Sequence, residues 1–159
     1  MDRYDPNDWT NAFVRSNRDF CFDFLKDTAE RVLELLEEES YKAAIAGMDR
    51  ILNGAMTMHN SGAANMRPFL ATMSFSEGIL IACGMEGAPP DRRRSAALAS
   101  FEDAKSFTNS SLSQYADQAI RLLKKGYDFD EVQEALCPDF PEDLISLMSD
   151  TADRIESLR

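Results

Sequence analysis

The sequence predicts an all-α fold, an irregular bundle of six to seven helices packed as antiparallel hairpins. Helix-forming residues dominate the composition, and β-branched residues are sparse. Apolar residues recur at intervals of three and four, the period of a helix with one buried face. Residue types that begin and end helices separate these stretches. A chain of 159 residues with 44% hydrophobic content is expected to form a single domain with its own core.

The first predicted helix covers residues 8–39. Ser16-Asn17-Arg18-Asp19 resembles an internal cap, so this segment is one helix or two with a break near residue 17. Phe22 and Leu33 fall outside the main apolar stripe, and we interpret them as candidate contacts with a partner. The opposite face is rich in carboxylates, which suits solvent, a metal ion or a basic partner. The main stripe comprises Trp9, Phe13, Phe20, Phe24, Leu25, Val32 and Leu36.

Residues 40–86 are predicted to form a helical hairpin that the other helices cover. They hold six of the eight methionines. The second helix starts at Ser40 and ends in the turn cluster 59–62. The third runs from about Ala64 or Pro68 to Cys83, with Gly84 as its stop, and it is apolar on nearly every side. Because methionine side chains adapt to varied surfaces, Met56 and Met58 are further candidates for partner contact.

Four shorter helices are predicted after this hairpin. Pro89-Pro90-Asp91 opens the fourth helix, and the fifth begins near Ser111 and ends at Lys124-Lys125-Gly126. Asp128 is placed to cap the sixth, which ends before Pro138. Pro141 opens the last helix. The segment 127–159 is thus an acidic helix pair and a candidate subdomain within the domain 1–159.

Small and large residues alternate along the third and fourth helices, at Ser74, Gly78, Ile81, Ala97, Phe101 and Ala104. This pattern over residues 74–107 resembles the helix pair of tetratricopeptide repeats. The resemblance implies hairpin packing and a peptide-binding groove. It is confined to one helix pair, because the linking loop is several residues longer than in that family and no second copy follows at a fixed period. Independently of the resemblance, the small residues predict a close helix–helix approach at Gly78.

The charge is unevenly distributed. Residues 1–39 hold 11 acids and 5 bases, a net −6, and residues 127–159 hold 10 acids and 2 bases, a net −8. Residues 40–126 hold 7 acids and 10 bases, a net +3. The overall charge of −11 argues against nucleic-acid binding, which requires basic surface. The acidic ends are expected to dock against the basic middle, in the same chain or in a second copy.

The sequence favours a cytoplasmic protein without a membrane partner. The polar stretch 1–9 does not resemble a signal peptide, and the most apolar run, residues 68–85, is too short and too polar to span a membrane. The three cysteines are widely spaced and form no CxxC motif, as expected for buried free thiols in a reducing compartment.

Enzyme signatures are absent from the sequence. It contains no phosphate-binding glycine loop, no HExxH and no GxSxG. His59 is the single histidine and has no orienting acid nearby in sequence, so a packed or turn histidine is the simpler interpretation. We therefore predict no catalytic residue, no metal site and no cofactor, although a binding site remains open.

The candidate ligand site combines Arg92, Arg93 and Arg94 with Glu77. Three arginines in the first turn of a helix oppose the helix dipole, and such conflicts often mark functional positions. With the free amides of a helix start they would form an anion site, although a solvated loop end explains them equally. Glu77 is the single carboxylate within the third helix. It could serve acid–base chemistry, or it could share a polar edge with Arg67 and Ser74.

Three functions are compatible with these observations. The leading hypothesis is a non-enzymatic protein–protein interaction or scaffold module that self-associates, with a protein partner or a homo-oligomer as its assembly. The second is a helical enzyme that binds a small ligand or phosphate ester through the arginines and a carboxylate. The third is an acidic mimic of nucleic acid that blocks a basic partner, which would need its acids on one face.

Overall fold

The structure, a computed structural model, describes residues 17–63, 66–83, 85, 89–107, 111–127 and 129–158. Within these residues the chain forms seven α-helices and no β-strand, which confirms the all-α prediction. The helices are α1 (Arg18–Glu37), α2 (Tyr41–Asn60), α3 (Met66–Ala82), α4 (Pro90–Phe107), α5 (Ser111–Lys124), α6 (Phe129–Leu136) and α7 (Glu142–Leu158).

Several predicted helix limits are confirmed. Helix α2 begins directly after Ser40 and is followed by Gly62 at φ 97°. Helix α5 ends at Lys124 and is followed by Gly126 at φ 85°. Both glycines adopt the left-handed backbone that other residues avoid, which is why the chain stops each helix there. Three predictions lie outside the described residues: the helical turns at 8–16, the stop at Gly84 and the cap at Asp128.

Helix α3 is the centre of the bundle. It packs against α2, α4, α5, α6 and α7, and every residue from Phe69 to Ala82 is buried. A helix that is apolar all round has no face to present to water, so it is stable only when neighbours enclose it. The α2–α3 pair therefore forms the covered hairpin that the methionine-rich stretch predicts.

The close approach predicted at Gly78 is present between α3 and α4. A Cβ atom built on Gly78 would lie 2.7 Å from Cε1 of Phe101, a distance that real side chains do not tolerate. The Phe101 ring also meets Phe75 edge-on, with ring centroids 5.7 Å apart. Glycine at position 78 thus makes room for a large aromatic side chain from the neighbouring helix.

The prediction that Phe20 and Phe24 belong to the buried stripe of α1 is wrong. Both side chains are exposed, at 64% and 41%, whereas Phe22 is completely buried. Each residue turns a helix by about 100°, so Phe20 and Leu36 lie about 160° apart and cannot share one face. Helices α2 and α7 cover the side that carries Leu36. The buried residues of α1 are Phe22, Leu25, Ala29, Val32, Leu35 and Leu36.

The two acidic ends of the described chain lie side by side. Helix α1 packs against α2 and α7, and α7 packs against α1 and α3. Lys26 pairs with Glu156 at 2.9 Å, and Arg18 Nη2 donates to the Leu158 carbonyl at 3.2 Å. Helix α6 instead packs against α5 and α3. The division of residues 127–159 into a subdomain stays a prediction.

Candidate interaction surface

The three arginines at the start of α4 have different environments. The Arg92 side chain is exposed, and those of Arg93 and Arg94 are half-buried. Arg94 Nη1 donates a hydrogen bond to the Leu123 carbonyl at the C-terminal end of α5. A cation at that position interacts favourably with the negative end of the α5 dipole. The unfavourable position of Arg94 at the start of the α4 dipole is thus offset by its contact with the end of α5.

Glu77 is buried within α3, with 5% of its surface accessible. Its neighbour Gly78 packs against Phe101 of α4. Arg94 precedes Phe101 by seven residues on α4, which places the two residues about 10 Å apart along the axis of that helix. The backbone of Glu77 is therefore two turns away from the arginine cluster. The joint ligand site stays a prediction, with Arg92 as its exposed cation. Ser74 is buried too, and Arg67 is exposed, so these residues do not form a solvated edge.

Two cysteine thiols lie at helix ends: Cys83 directly follows α3, and Cys137 directly follows α6. Burial raises the pKa of Cys83 to about 12, with smaller contributions from Cys137 and Asp130, and the positive charge of Arg93 opposes the increase. Burial also raises the pKa of Cys137 to about 11. The thiolate is the nucleophilic form of cysteine. Burial therefore favours the protonated form of both thiols in the folded chain.

No cluster of metal-ligating side chains is present among the described residues. No group of three or more histidine, cysteine, aspartate or glutamate side chains there could hold an ion. His59 is half-buried in the last turn of α2. This part of the chain therefore offers no geometry that points to metal chemistry.

An exposed aromatic pair lies on α1. Phe20 and Phe24 are separated by one helical turn and share the outer face of the helix, turned away from the core. The Phe24 ring lies beside Gly54 of α2, where an added Cβ would be 3.3 Å from Cε1. Arg50 of α2 is exposed and lies one helical turn before Gly54 on the same side of the helix. We call Phe20, Phe24, Gly54 and Arg50 the aromatic patch. Adjacent exposed apolar side chains can mark an interaction surface, whereas single ones are common on any protein.

The residues predicted to contact a partner lie elsewhere. Phe22 and Met58 are in the core, with 0% and 2% of their surfaces accessible, so neither can reach a partner in this fold. Leu33 and Met56 are half-buried and pack against the core. The aromatic patch was missed because α1 has apolar residues on two sides. The buried side can be recognised by apolar residues at alternating intervals of three and four without a gap: Phe22, Leu25, Ala29, Val32 and Leu36.

The contact between α1 and α7 places two acidic helices together. Among the cations of α1, Lys26 pairs with Glu156, and Arg31 pairs with Glu34 at 2.8 Å. These cations are outnumbered by carboxylates that point to solvent. We call this surface the acidic face; its exposed acids are Asp19, Asp23, Asp27, Glu30, Glu34 and Glu37 of α1 and Asp150, Asp153 and Glu156 of α7.

Three clefts are lined entirely by described residues, and none of these three includes Glu77 or the arginines of α4. The first, the α3–α7 cleft, has a volume of 230 Å³. A shallow one lies beside Tyr41 and Met85, and another lies between α5 and α6 around Tyr127. The α3–α7 cleft is lined by Pro68, Phe69, Thr72, Thr151, Arg154, Ser157 and Leu158.

No protein-family model, curated protein or solved structure matches this chain. Among the helices that the structure describes, none is long and apolar enough to cross a membrane.

Proposed function

We propose that this chain is a non-enzymatic interaction module that self-associates through the aromatic patch. The observation that carries the proposal is the exposure of Phe20 and Phe24 on one face of α1. Both rings are too large and too exposed to contribute fully to the core of their own chain. Aromatic residues are enriched at protein interfaces, where they anchor the contact.

A second copy is the partner that the charge distribution supports. The first 39 residues carry a net −6 and residues 40–126 a net +3. The aromatic patch joins these two regions, because α1 belongs to the first and Arg50 of α2 to the second. In a two-fold dimer the same patch faces its own copy, so α1 of each chain can meet α2 of the other. Acids of α1 would then lie near the partner's Arg50.

The size of the patch predicts weak association. Burying a phenylalanine completely contributes about 1.5–3 kcal/mol, and these rings are about half exposed. Four such rings across a two-fold interface would contribute about 3–6 kcal/mol. The loss of rotational and translational freedom costs about 4–15 kcal/mol. Flanking contacts must supply the remainder, and the dimer population should change with protein concentration.

Size-exclusion chromatography with light scattering tests this proposal. The double variant Phe20→Ser/Phe24→Ser should remain monomeric at concentrations where the unmodified chain forms dimers. Tyr115→Ser is the matched control, because Tyr115 is an exposed aromatic residue on α5, outside the patch. A dimer that persists in the double variant, or an unmodified chain that is monomeric at every concentration, would contradict the proposal.

A second candidate function is supported by the acidic face. Acids concentrated on two adjacent helices could imitate a phosphate backbone and occupy a basic protein. Titration of the chain with an oligolysine peptide would test this function. Binding should weaken as salt rises, and Glu30→Lys on the acidic face should weaken it more than Glu134→Lys, which makes the same change of charge at an exposed acid of α6. Equal effects of the two variants would argue against a localised acidic site.

The phosphate-ester hypothesis has less support than either of these. Arg94 is engaged with the end of α5, and the backbone of Glu77 lies about two helical turns from that of Arg94.

A further inference from the structure

The α3–α7 cleft has an apolar interior. Three of the residues that line it carry a hydroxyl group, and each hydroxyl donates a hydrogen bond within its own helix. The bonds join Thr72 to the Pro68 carbonyl at 3.0 Å, Thr151 to the Leu147 carbonyl at 2.7 Å and Ser157 to the Arg154 carbonyl at 2.6 Å. Because these donors are already used, the threonine methyl groups and the Phe69 ring are the parts of the wall that a ligand would meet.

The cleft has room for a short hydrocarbon chain. Its volume of 230 Å³ is below the range of about 300–1,000 Å³ that is usual for sites of drug-sized molecules. An apolar cavity of about 150 Å³ holds one benzene molecule, so 230 Å³ admits an apolar body of about nine carbon atoms. The lining residues of α7 run from Thr151 to Leu158, about 10 Å along the helix axis. The cavity is therefore elongated, and an extended chain fills it better than a compact ring does.

Arg154 gives the cleft a positive charge. Among the seven described residues of the lining it is the single charged one, and its side chain is exposed. An arginine can lay its apolar stem along a hydrophobic wall while its guanidinium group stays in water. That group binds a carboxylate through two parallel hydrogen bonds. An apolar cavity with an arginine at its edge complements a ligand that has an apolar chain and a carboxylate head.

The helix ends beside the cleft are compatible with an anion. Pro68 and Phe69 belong to the first turn of α3, so the positive end of that helix dipole lies here. The negative end of α7 lies here too, but Arg18 Nη2 donates to the Leu158 carbonyl at 3.2 Å and offsets it. The carboxylates of α7 are not part of the lining.

We propose that the α3–α7 cleft binds a medium-chain fatty acid, with the chain in the cavity and the carboxylate on Arg154. A ligand with about ten non-hydrogen atoms suits a dissociation constant on the order of 0.1–1 mM. The site lies between α3 and α7, whereas the aromatic patch lies on α1 and α2, so this binding is independent of self-association.

Methyl NMR of the full chain tests the site, with octanoate as the probe. The methyl signals of Thr72 and Thr151 should shift and then saturate as octanoate is added, because both groups lie in the cleft wall. Arg154→Met keeps an apolar stem and removes the charge, so it should weaken octanoate binding about five- to ten-fold. The binding of 1-octanol, which has no charge, should not change in this variant. Lys125→Met, the same substitution type in the exposed turn after α5, is the control and should leave octanoate binding unchanged.

A second variant tests the cavity without altering charge. Ser157 is exposed at the edge of the cleft, so Ser157→Trp should fold normally, crowd the cavity and weaken octanoate and 1-octanol alike. Circular dichroism would verify the helical fold of each variant. The proposal is overturned if neither threonine methyl signal shifts, or if 1-octanol or benzoate binds the unmodified chain as tightly as octanoate. Equal effects of Arg154→Met and Lys125→Met, or unchanged binding in Ser157→Trp, would overturn it as well.

Discussion

Replacing Gly78 with alanine should destabilise the fold, although alanine is the better helix former. The new Cβ would lie 2.7, 2.9 and 3.0 Å from three ring atoms of Phe101. Ordinary carbon–carbon contacts lie near 3.5–4.0 Å, so the ring or the backbone must move by about 0.5–1 Å. Phe101 is completely buried and packs edge-on against Phe75, so its ring has little room to withdraw.

The magnitude follows from two opposing effects. Alanine in place of glycine within a helix contributes about 1 kcal/mol of stability. Overpacking in a well-filled core costs about 1–3 kcal/mol. With three ring atoms inside the contact distance, the cost should lie near the upper end of this range. We expect Gly78→Ala to lower the free energy of unfolding by about 1–2 kcal/mol, which lowers Tm by about 2–8 °C at this chain length.

Urea denaturation followed by circular dichroism measures this change, and Gly54→Ala is its matched control. A Cβ at Gly54 would meet the Phe24 ring at 3.3 Å, but that ring is 41% exposed and free to move. Gly54→Ala should therefore be neutral or stabilising by up to about 1 kcal/mol. In a chain that already carries Phe101→Leu, Gly78→Ala should lower the free energy of unfolding by at least about 0.5 kcal/mol less than it does in the unmodified chain. A Gly78→Ala chain as stable as the unmodified one would refute the reasoning.

Three further variants test the stability that individual residues contribute. Glu39 holds a left-handed backbone at φ 61° after α1, so Glu39→Gly should raise the free energy of unfolding by about 0.5–1 kcal/mol in urea. Arg94→Met should lower it by about 1 kcal/mol, because the hydrogen bond to the end of α5 is lost, while Arg92→Met, at an exposed position, should have little effect. The pKa values of Cys83 and Cys137 rise from an ordinary 9.0 to about 12 and about 11 in the folded chain. Unfolding therefore releases their protons above pH 9, stability falls as the pH rises from there, and Cys83→Ala/Cys137→Ala should make that fall shallower.

Local sequence signals were sufficient to place most helices. The turn after α2 and the end of α5 were both marked by glycines, and each adopts the positive φ that its position requires. The enclosure of α3 followed from its lack of a polar face. These features depend on residues within a few positions of one another, so a single sequence carries them.

The buried side of α1 depends on distant residues, and the sequence did not settle it. Phe20 and Phe22 are equally apolar and only two positions apart, yet one is exposed and the other lies in the core. The choice is made by α2 and α7, and the α7 contact includes Lys26 with Glu156, 130 positions apart. The use of Arg94 at the end of α5 likewise arises from tertiary packing.

Sedimentation equilibrium over a dilution series would measure self-association through the aromatic patch. The average mass should rise from monomer towards dimer with concentration, and it should stay at the monomer value for Phe20→Ser/Phe24→Ser. An unmodified chain that is monomeric throughout the series, or a double variant that associates as strongly as the unmodified chain, would contradict it.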